Sequence, residues 1–180
     1  MPQSKSYHAP TLAWPWLLFA LTVLARTSLA ATRCYDNLGC YQSLTLHALP
    51  QEPVHLRTEY RISCRGHTND AVVSATDSET VMKDKIEKSC FVVDLPVRII
   101  IHGFRDSASA SWVSRMRDAF LAKEDCNVIA VDWHHGAPFP YEQAVANSFL
   151  VATQVAHLIR HLELVHVSSK SQQNFLLFMT

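Results

Sequence analysis

Val97-Arg98-Ile99-Ile100-Ile101 runs straight into His102-Gly103-Phe104, and further along Asn127-Val128-Ile129-Ala130-Val131 runs into Asp132-Trp133. Each is a short, nearly unbroken apolar stretch that closes in polar or glycine residues. A strand buried on both faces of an α/β sheet reads this way, and its carboxyl end is where such sheets place chemistry. Between the two, residues 111–123 set Trp112, Met116, Ala119 and Phe120 on one helical face. Strand, helix and strand together predict a right-handed parallel unit with the helix crossing over the sheet.

Outward from this unit the pattern stays legible. Pro138 and Pro140 precede a long helical stretch, residues 141–164. Its expected buried stripe is Tyr141, Val145, Ala152, Val155, Ile159 and Leu162, opposite Glu142, Gln143, Gln154, Arg160 and Glu163. On the amino-terminal side Val54, Leu56, Thr58, Tyr60, Ile62 and Cys64 alternate with His55, Arg57, Glu59, Arg61, Ser63 and Arg65. That alternation predicts an antiparallel strand, packed on one face, with Arg57, Arg61 and Arg65 on the solvated one. Residues 66–89 are polar and read as a loop with a short helical piece, carrying the one-turn pairs Lys83/Glu87 and Asp84/Lys88.

The chain has 180 residues, 48% of them hydrophobic, enough for one modest domain with a core. Sixteen basic residues balance sixteen acidic ones, so the charge balance argues against a nucleic-acid partner. At the amino terminus Lys5 and His8 precede an apolar run, residues 12–24, and Ser28-Leu29-Ala30 follows as a small-x-small cleavage site. The run is short for a bilayer span, so residues 1–30 read as a secretory signal cut after Ala30, with no transmembrane span remaining; an uncleaved anchor is the alternative. The expected location is therefore extracellular, where cysteines form disulfides. Cys34 and Cys40 enclose a turn-compatible loop with Asn37 and Gly39, so a small local ring is expected. Cys64 and Cys90 are available for a longer bridge, and Cys126 is then left over, either buried as a small apolar residue or awaiting a partner.

The best candidate for chemistry is His102-Gly103-Phe104. A glycine straight after a buried strand lets the backbone bring an amide N–H into a cleft, where it can stabilise an oxyanion in acyl transfer. An ordinary strand-end turn explains three residues equally well, and the motif gains force from its company. Cys34-Tyr35, Leu38-Gly39-Cys40, Ile100-Ile101-His102-Gly103-Phe104, Trp112, residues 127–133, Tyr141, Ala144, Asn147 and Val155-Ala156 occur in one order across residues 34–164. In that order and spacing the chain resembles the pancreatic-type lipases, secreted lipases and phospholipases A1. Cys64, Cys90 and Cys126 depart from the cysteine positions of pancreatic lipase, which marks a divergent branch.

The resemblance implies an incomplete α/β-hydrolase fold, the amino-terminal half of a catalytic domain with a central, mostly parallel sheet flanked by helices. It implies that Phe104 supplies one oxyanion-hole donor through its backbone while His102 helps hold the loop. It also implies a lipid or ester substrate for the full-length family member, and a bridge between Cys34 and Cys40; no cofactor is implied.

Asp132 ends a buried strand, yet the hydrolase triad runs serine, acid, histidine along the chain and no nucleophile precedes it, so Asp132 reads as structural. His134 and His135 should diverge. His157 and His161 stand one helical turn apart, but Leu158 occupies the position of a metalloprotease glutamate, so no metal site is expected.

A nucleophile elbow reads G-x-S-x-G, and the only glycines, Gly39, Gly66, Gly103 and Gly136, include no pair at that spacing. No catalytic triad residue is therefore expected among these residues. The expected organisation is a signal over residues 1–30, lipase-type domain over residues 31–171 and a divergent tail over residues 172–180. The expected function is that of a secreted lipase-family protein, a carboxylic ester hydrolase truncated before its elbow and inactive as written; a non-catalytic lipid-binding or decoy protein is the alternative. Truncation should also leave the edge of the Val97–Ile101 strand bare and sticky unless residues 174–179 fold back to replace the lost strand; the bare edge is favoured, because residues 168–173 offer no glycine to ease a return to it.

Overall fold

Alternate residues of Val97–Ile101 point to opposite faces of the pleat, and both faces are covered. Val97, Ile99 and Ile101 enter one core with Leu150, Val155 and Leu158, whereas Ile100 enters a second with Val113, Cys126 and Val128. The structure is a computed structural model and describes residues 31–43, 48–67, 70–166 and 175–179. The signal assigned to residues 1–30 and the linker assigned to residues 168–173 lie outside the described residues.

In chain order the elements are β1 (Thr32–Tyr35), β2 (Gly39–Gln42), α1 (Pro53–Leu56), β3 (Glu59–Cys64), β4 (Ala71–Ser74) and α2 (Glu79–Glu87). Then follow β5 (Val97–Ile101), α3 (Ser111–Lys123), β6 (Asn127–Asp132), α4 (Tyr141–His166) and β7 (Phe175–Met179). β1 and β2 form an antiparallel hairpin, and the main sheet has the order β4-β3-β6-β5-β7. The mostly parallel sheet expected from the resemblance is corrected to an evenly mixed one. β4–β3 and β3–β6 pair antiparallel, whereas β6–β5 and β5–β7 pair parallel. A short connection returns the chain antiparallel, as between β3 and β4, while the crossovers containing α3 and α4 return it parallel.

The helix over residues 111–123 forms with the expected bounds, but its buried anchor is Val113, flanked by Trp112, Met116 and Phe120, and Ala119 is exposed. The stripe of α4 is also displaced. Ala144, Asn147, Leu150, Val151, Gln154, Val155, Leu158 and Leu162 are buried, whereas Tyr141 and Ala152 are exposed. Gln154, expected on the polar face, is 2% exposed, and its amide has no partner among the described residues. The periodicity of α4 was readable; its rotational phase depended on which neighbours the sheet presents.

The inward face of β3 holds from Leu56 to Cys64, but the strand starts at Glu59, and Val54 sits exposed on α1. Arg61 is not merely solvated, since it pairs with Asp132 across the sheet at 2.9 Å. The polar stretch 66–89 contains α2 as expected, with both one-turn ion pairs, and also the edge strand β4.

The bare edge expected beside β5 is overturned by β7. Phe175 to Met179 pair in parallel with Val97 to Ile101 over their full length. Phe175 packs against one core and Phe178 lies 4.9 Å from Phe120 of α3, so β7 is apolar toward both layers. A parallel return needs a crossover rather than a tight turn, so the lack of glycine before β7 is no obstacle.

Both candidate bridges are present, Cys34–Cys40 and Cys64–Cys90, and Cys126 is a free thiol 1% exposed in the second core. Burial pushes its thiol up, which keeps it protonated and inert.

Candidate oxyanion-binding site

The parallel register sets Ile101 level with Val131, so the two strands deliver His102 and Asp132 side by side. His102 is 2% exposed and stacked on the Trp133 indole, with ring centroids 5.4 Å apart and planes 9° apart. The Trp133 backbone N–H donates to His102 Nε2 at 3.0 Å, and its indole N–H donates to the His102 carbonyl at 2.6 Å. The turn that follows is made at Arg105, which takes the left-handed φ of 57°, and not at Gly103. Arg105 N–H then closes the loop on the Ala137 carbonyl at 2.8 Å. The Phe104 N–H between these anchors makes no hydrogen bond among the described residues.

Phe104 lines an apolar cavity of about 260 Å³ together with His102, Trp133, Tyr141, Val151 and Leu177. Phe104 meets Tyr141 edge-on with centroids 5.1 Å apart. His102, Gly103 and Phe104, singled out in the sequence, all line this cavity. Tyr141 is expected on the buried stripe of α4, and its exposed place beside the cavity follows from the rotated stripe. Leu177 was missed because β7 was read as a tail.

Asp132 is 2% exposed and surrounded by donors. Arg61 Nη2 binds Oδ2 at 2.9 Å, and His134 reaches Oδ1 through Nδ1 at 2.9 Å and through its backbone N–H at 3.3 Å. Burial pulls the Asp132 carboxyl upward, but the hydrogen bonds from the His134 ring and backbone N–H act against it and hold the carboxyl well below the usual carboxylate range. This is the structural role read for Asp132: it ties β6 to β3 beneath the loop. His134 and His135 do not diverge; their rings lie 3.9 Å apart.

A folded-state pKa below the unfolded value means the unfolded chain binds more protons, so Asp132 stabilises the fold above the ordinary carboxyl range and loses that effect as pH falls toward its depressed value. Asp132→Asn is expected to cost about 2 kcal/mol at neutral pH, the scale of a lost charge-assisted hydrogen bond. Thermal melts down the acid limb should show the gap between variant and parent closing below about pH 4. A gap that stays constant with pH would refute the assignment.

Residues 39–174 match the family described as Lipase. Over 158 residues the chain is 34% identical to pancreatic lipase-related protein 2 of Homo sapiens, a stretch that covers 82% of this chain and 32% of that protein. The chain belongs to the pancreatic lipase family. It is also 32% identical over 139 residues to pancreatic triacylglycerol lipase of Myocastor coypus, covering 72% of this chain and 29% of that one. To inactive pancreatic lipase-related protein 1 of Mus musculus it is 33% identical over 135 residues, covering 70% and 28%. The chain thus spans about a third of the length of the curated relatives it matches, 28% to 32% in these three. Its mixed sheet with flanking helices fits part of the α/β-hydrolase fold of the pancreatic lipase family. β7 lies beyond the matched stretch, which ends at residue 174.

Proposed function

We propose that this is a secreted lipase-family protein whose β5–α3–β6–α4 unit forms the oxyanion-binding wall of an ester-hydrolase site. The observation that carries the reading is that Phe104, just past the end of β5, lines an apolar cavity and has a backbone N–H without a hydrogen bond among the described residues. During attack on an ester the carbonyl oxygen gains negative charge, and a preorganised N–H in a water-poor site stabilises that charge. The apolar lining, Tyr141, Val151 and Leu177 among it, suits an acyl chain. β7 occupies the place beside β5 where a lipase presents its nucleophile strand, although its sequence diverges and the 180 residues contain no G-x-S-x-G.

These 180 residues by themselves therefore lack an activated serine, and we expect no turnover of p-nitrophenyl butyrate above buffer and no labelling by a fluorophosphonate probe. Ser107, Ser109 and Ser111 follow the loop without a glycine-flanked elbow, and although Ser107 shares a pocket with His134, among the described residues none of the three hydroxyls is hydrogen-bonded to a histidine or carboxylate. Stoichiometric labelling of any serine would overturn the proposal. The same cavity also favours a second reading, a lipid-binding protein without catalysis. Stoichiometric uptake of a fluorescent fatty acid with no hydrolysis would favour that one.

The proposed secretion rests on the apolar run at residues 12–24 and the Ser28-Leu29-Ala30 site. Protein recovered from the medium should begin at Ala31. Terminal sequencing that reads Met1 instead would refute the processing.

A further inference from the structure

We propose that Trp133 is the positioning residue of the oxyanion loop, acting through the tautomer of His102 to fix which way the Gly103–Phe104 peptide faces. The inference rests on the oxyanion reading above and assigns the device that orients the donor.

A backbone N–H can only donate, so the 3.0 Å bond from Trp133 N–H makes His102 Nε2 an acceptor. The ring proton must then sit on Nδ1, which stands 3.1 Å from the Gly103 carbonyl and donates to it. In a trans peptide the C=O and N–H point in opposite directions, and among the described residues the only cis bond is Phe139–Pro140. Holding the Gly103 carbonyl on the histidine side therefore turns the Phe104 N–H away from it, leaving that N–H free for a ligand. The second grip of Trp133, its indole N–H on the His102 carbonyl at 2.6 Å, fixes the preceding peptide as well.

Asp132 supplies the competing arrangement. Its Oδ1 stands 3.3 Å from His102 Nε2. A proton on Nε2 would satisfy that contact but would break the bond from Trp133 N–H, and in the neutral ring it would leave Nδ1 facing the Gly103 carbonyl with no proton between two acceptors. The Nδ1–H form satisfies two partners, and Asp132 is already engaged by Arg61 and His134.

The test is made on the full chain by NMR near neutral pH. Nitrogen shifts of His102 should report the neutral Nδ1–H tautomer; an Nε2–H tautomer or an imidazolium paired with Asp132 overturns the proposal without any mutation. Trp133→Phe keeps the stacked ring and the backbone N–H but removes the indole donor. It should speed amide exchange at Arg105 about tenfold, roughly the effect of one hydrogen bond, while Val128 and Ile129 in β6 stay protected. His102→Asn, whose amide can still donate to the Gly103 carbonyl, should keep Arg105 protected, and His102→Phe should not. Equal exchange in all variants, or loss of β6 protection together with Arg105, makes Trp133 and His102 ordinary core residues and overturns the proposal. The Phe104 amide shift on adding hexanoate tests the oxyanion reading separately. The expected tautomer without that shift fails the oxyanion reading alone.

Discussion

Replacing Asn147 with leucine is expected to destabilise the fold by about 2–4 kcal/mol, among the largest effects of any single side chain here. Asn147 is 1% exposed and uses both ends of its amide. Oδ1 accepts from the Gln51 backbone N–H at 2.9 Å and from Gln143 Nε2 at 3.0 Å. Nδ2 donates to the Gly136 carbonyl and to Gln51 Oε1, each at 2.9 Å. One side chain thus joins α4, the turn after β6 and the segment before α1. Leucine is of similar size and would leave a buried carbonyl and a backbone N–H without partners, which is costlier than the bonds themselves. The turn cannot readily shift to compensate, because a Cβ built on Gly136 would already stand 3.0 Å from Leu56. A thermal midpoint about 10 °C lower is expected. Gln51→Ala, which removes one of the four bonds at an exposed residue, should cost less than about 1 kcal/mol. Equal melting of Asn147→Leu and the parent would show that the network carries no stability.

Removing the Cys64–Cys90 bridge should have a comparable effect. It joins the end of β3 to the segment entering β5 across a sequence separation of 26, and Cys64 is 6% exposed in the main core. Closing a loop of this length restricts the unfolded chain by about 3 kcal/mol in the chain-entropy account, and an alanine pair at these positions should lose that much. The Cys34–Cys40 ring, with a separation of 6, should contribute about 1 kcal/mol less. Denaturant melts of the two double variants measure the difference. A larger loss from the small ring would show that strain or local packing, not loop length, governs both.

The two buried strands, the helix between them and the loop that follows β5 were legible because each is written in consecutive residues. Val97–Ile101 and Asn127–Asp132 are apolar on both faces, and only a central strand tolerates that. Trp133 stood in the sequence pattern without an assigned role, and Tyr141 was assigned to a buried stripe. Their roles depend on the register that sets Ile101 beside Val131 and on the rotation of α4, and neither can be read from either segment alone. Arg61 looked like a solvated side chain until the pairing of β3 with β6 brought Asp132 within reach. For β7 the return to β5 was the disfavoured alternative, because a tight turn with glycine was sought where a crossover suffices. Its alternation of Phe175 and Leu177 against Leu176 and Phe178, apolar on both faces, was the signal for a strand between layers.

By itself the sequence determined the local elements around β5 and β6, the candidate donor at Phe104 and the lack of an elbow among its residues, since each depends only on the order of neighbours along the chain. The tertiary structure decided the mixed sheet, the seat of β7 beside β5, the phase of α4 and the donors that surround Asp132. Those depend on which distant groups share a small buried volume, where every polar atom needs a partner and every apolar face a cover, and that competition is settled only when the chain has closed on itself.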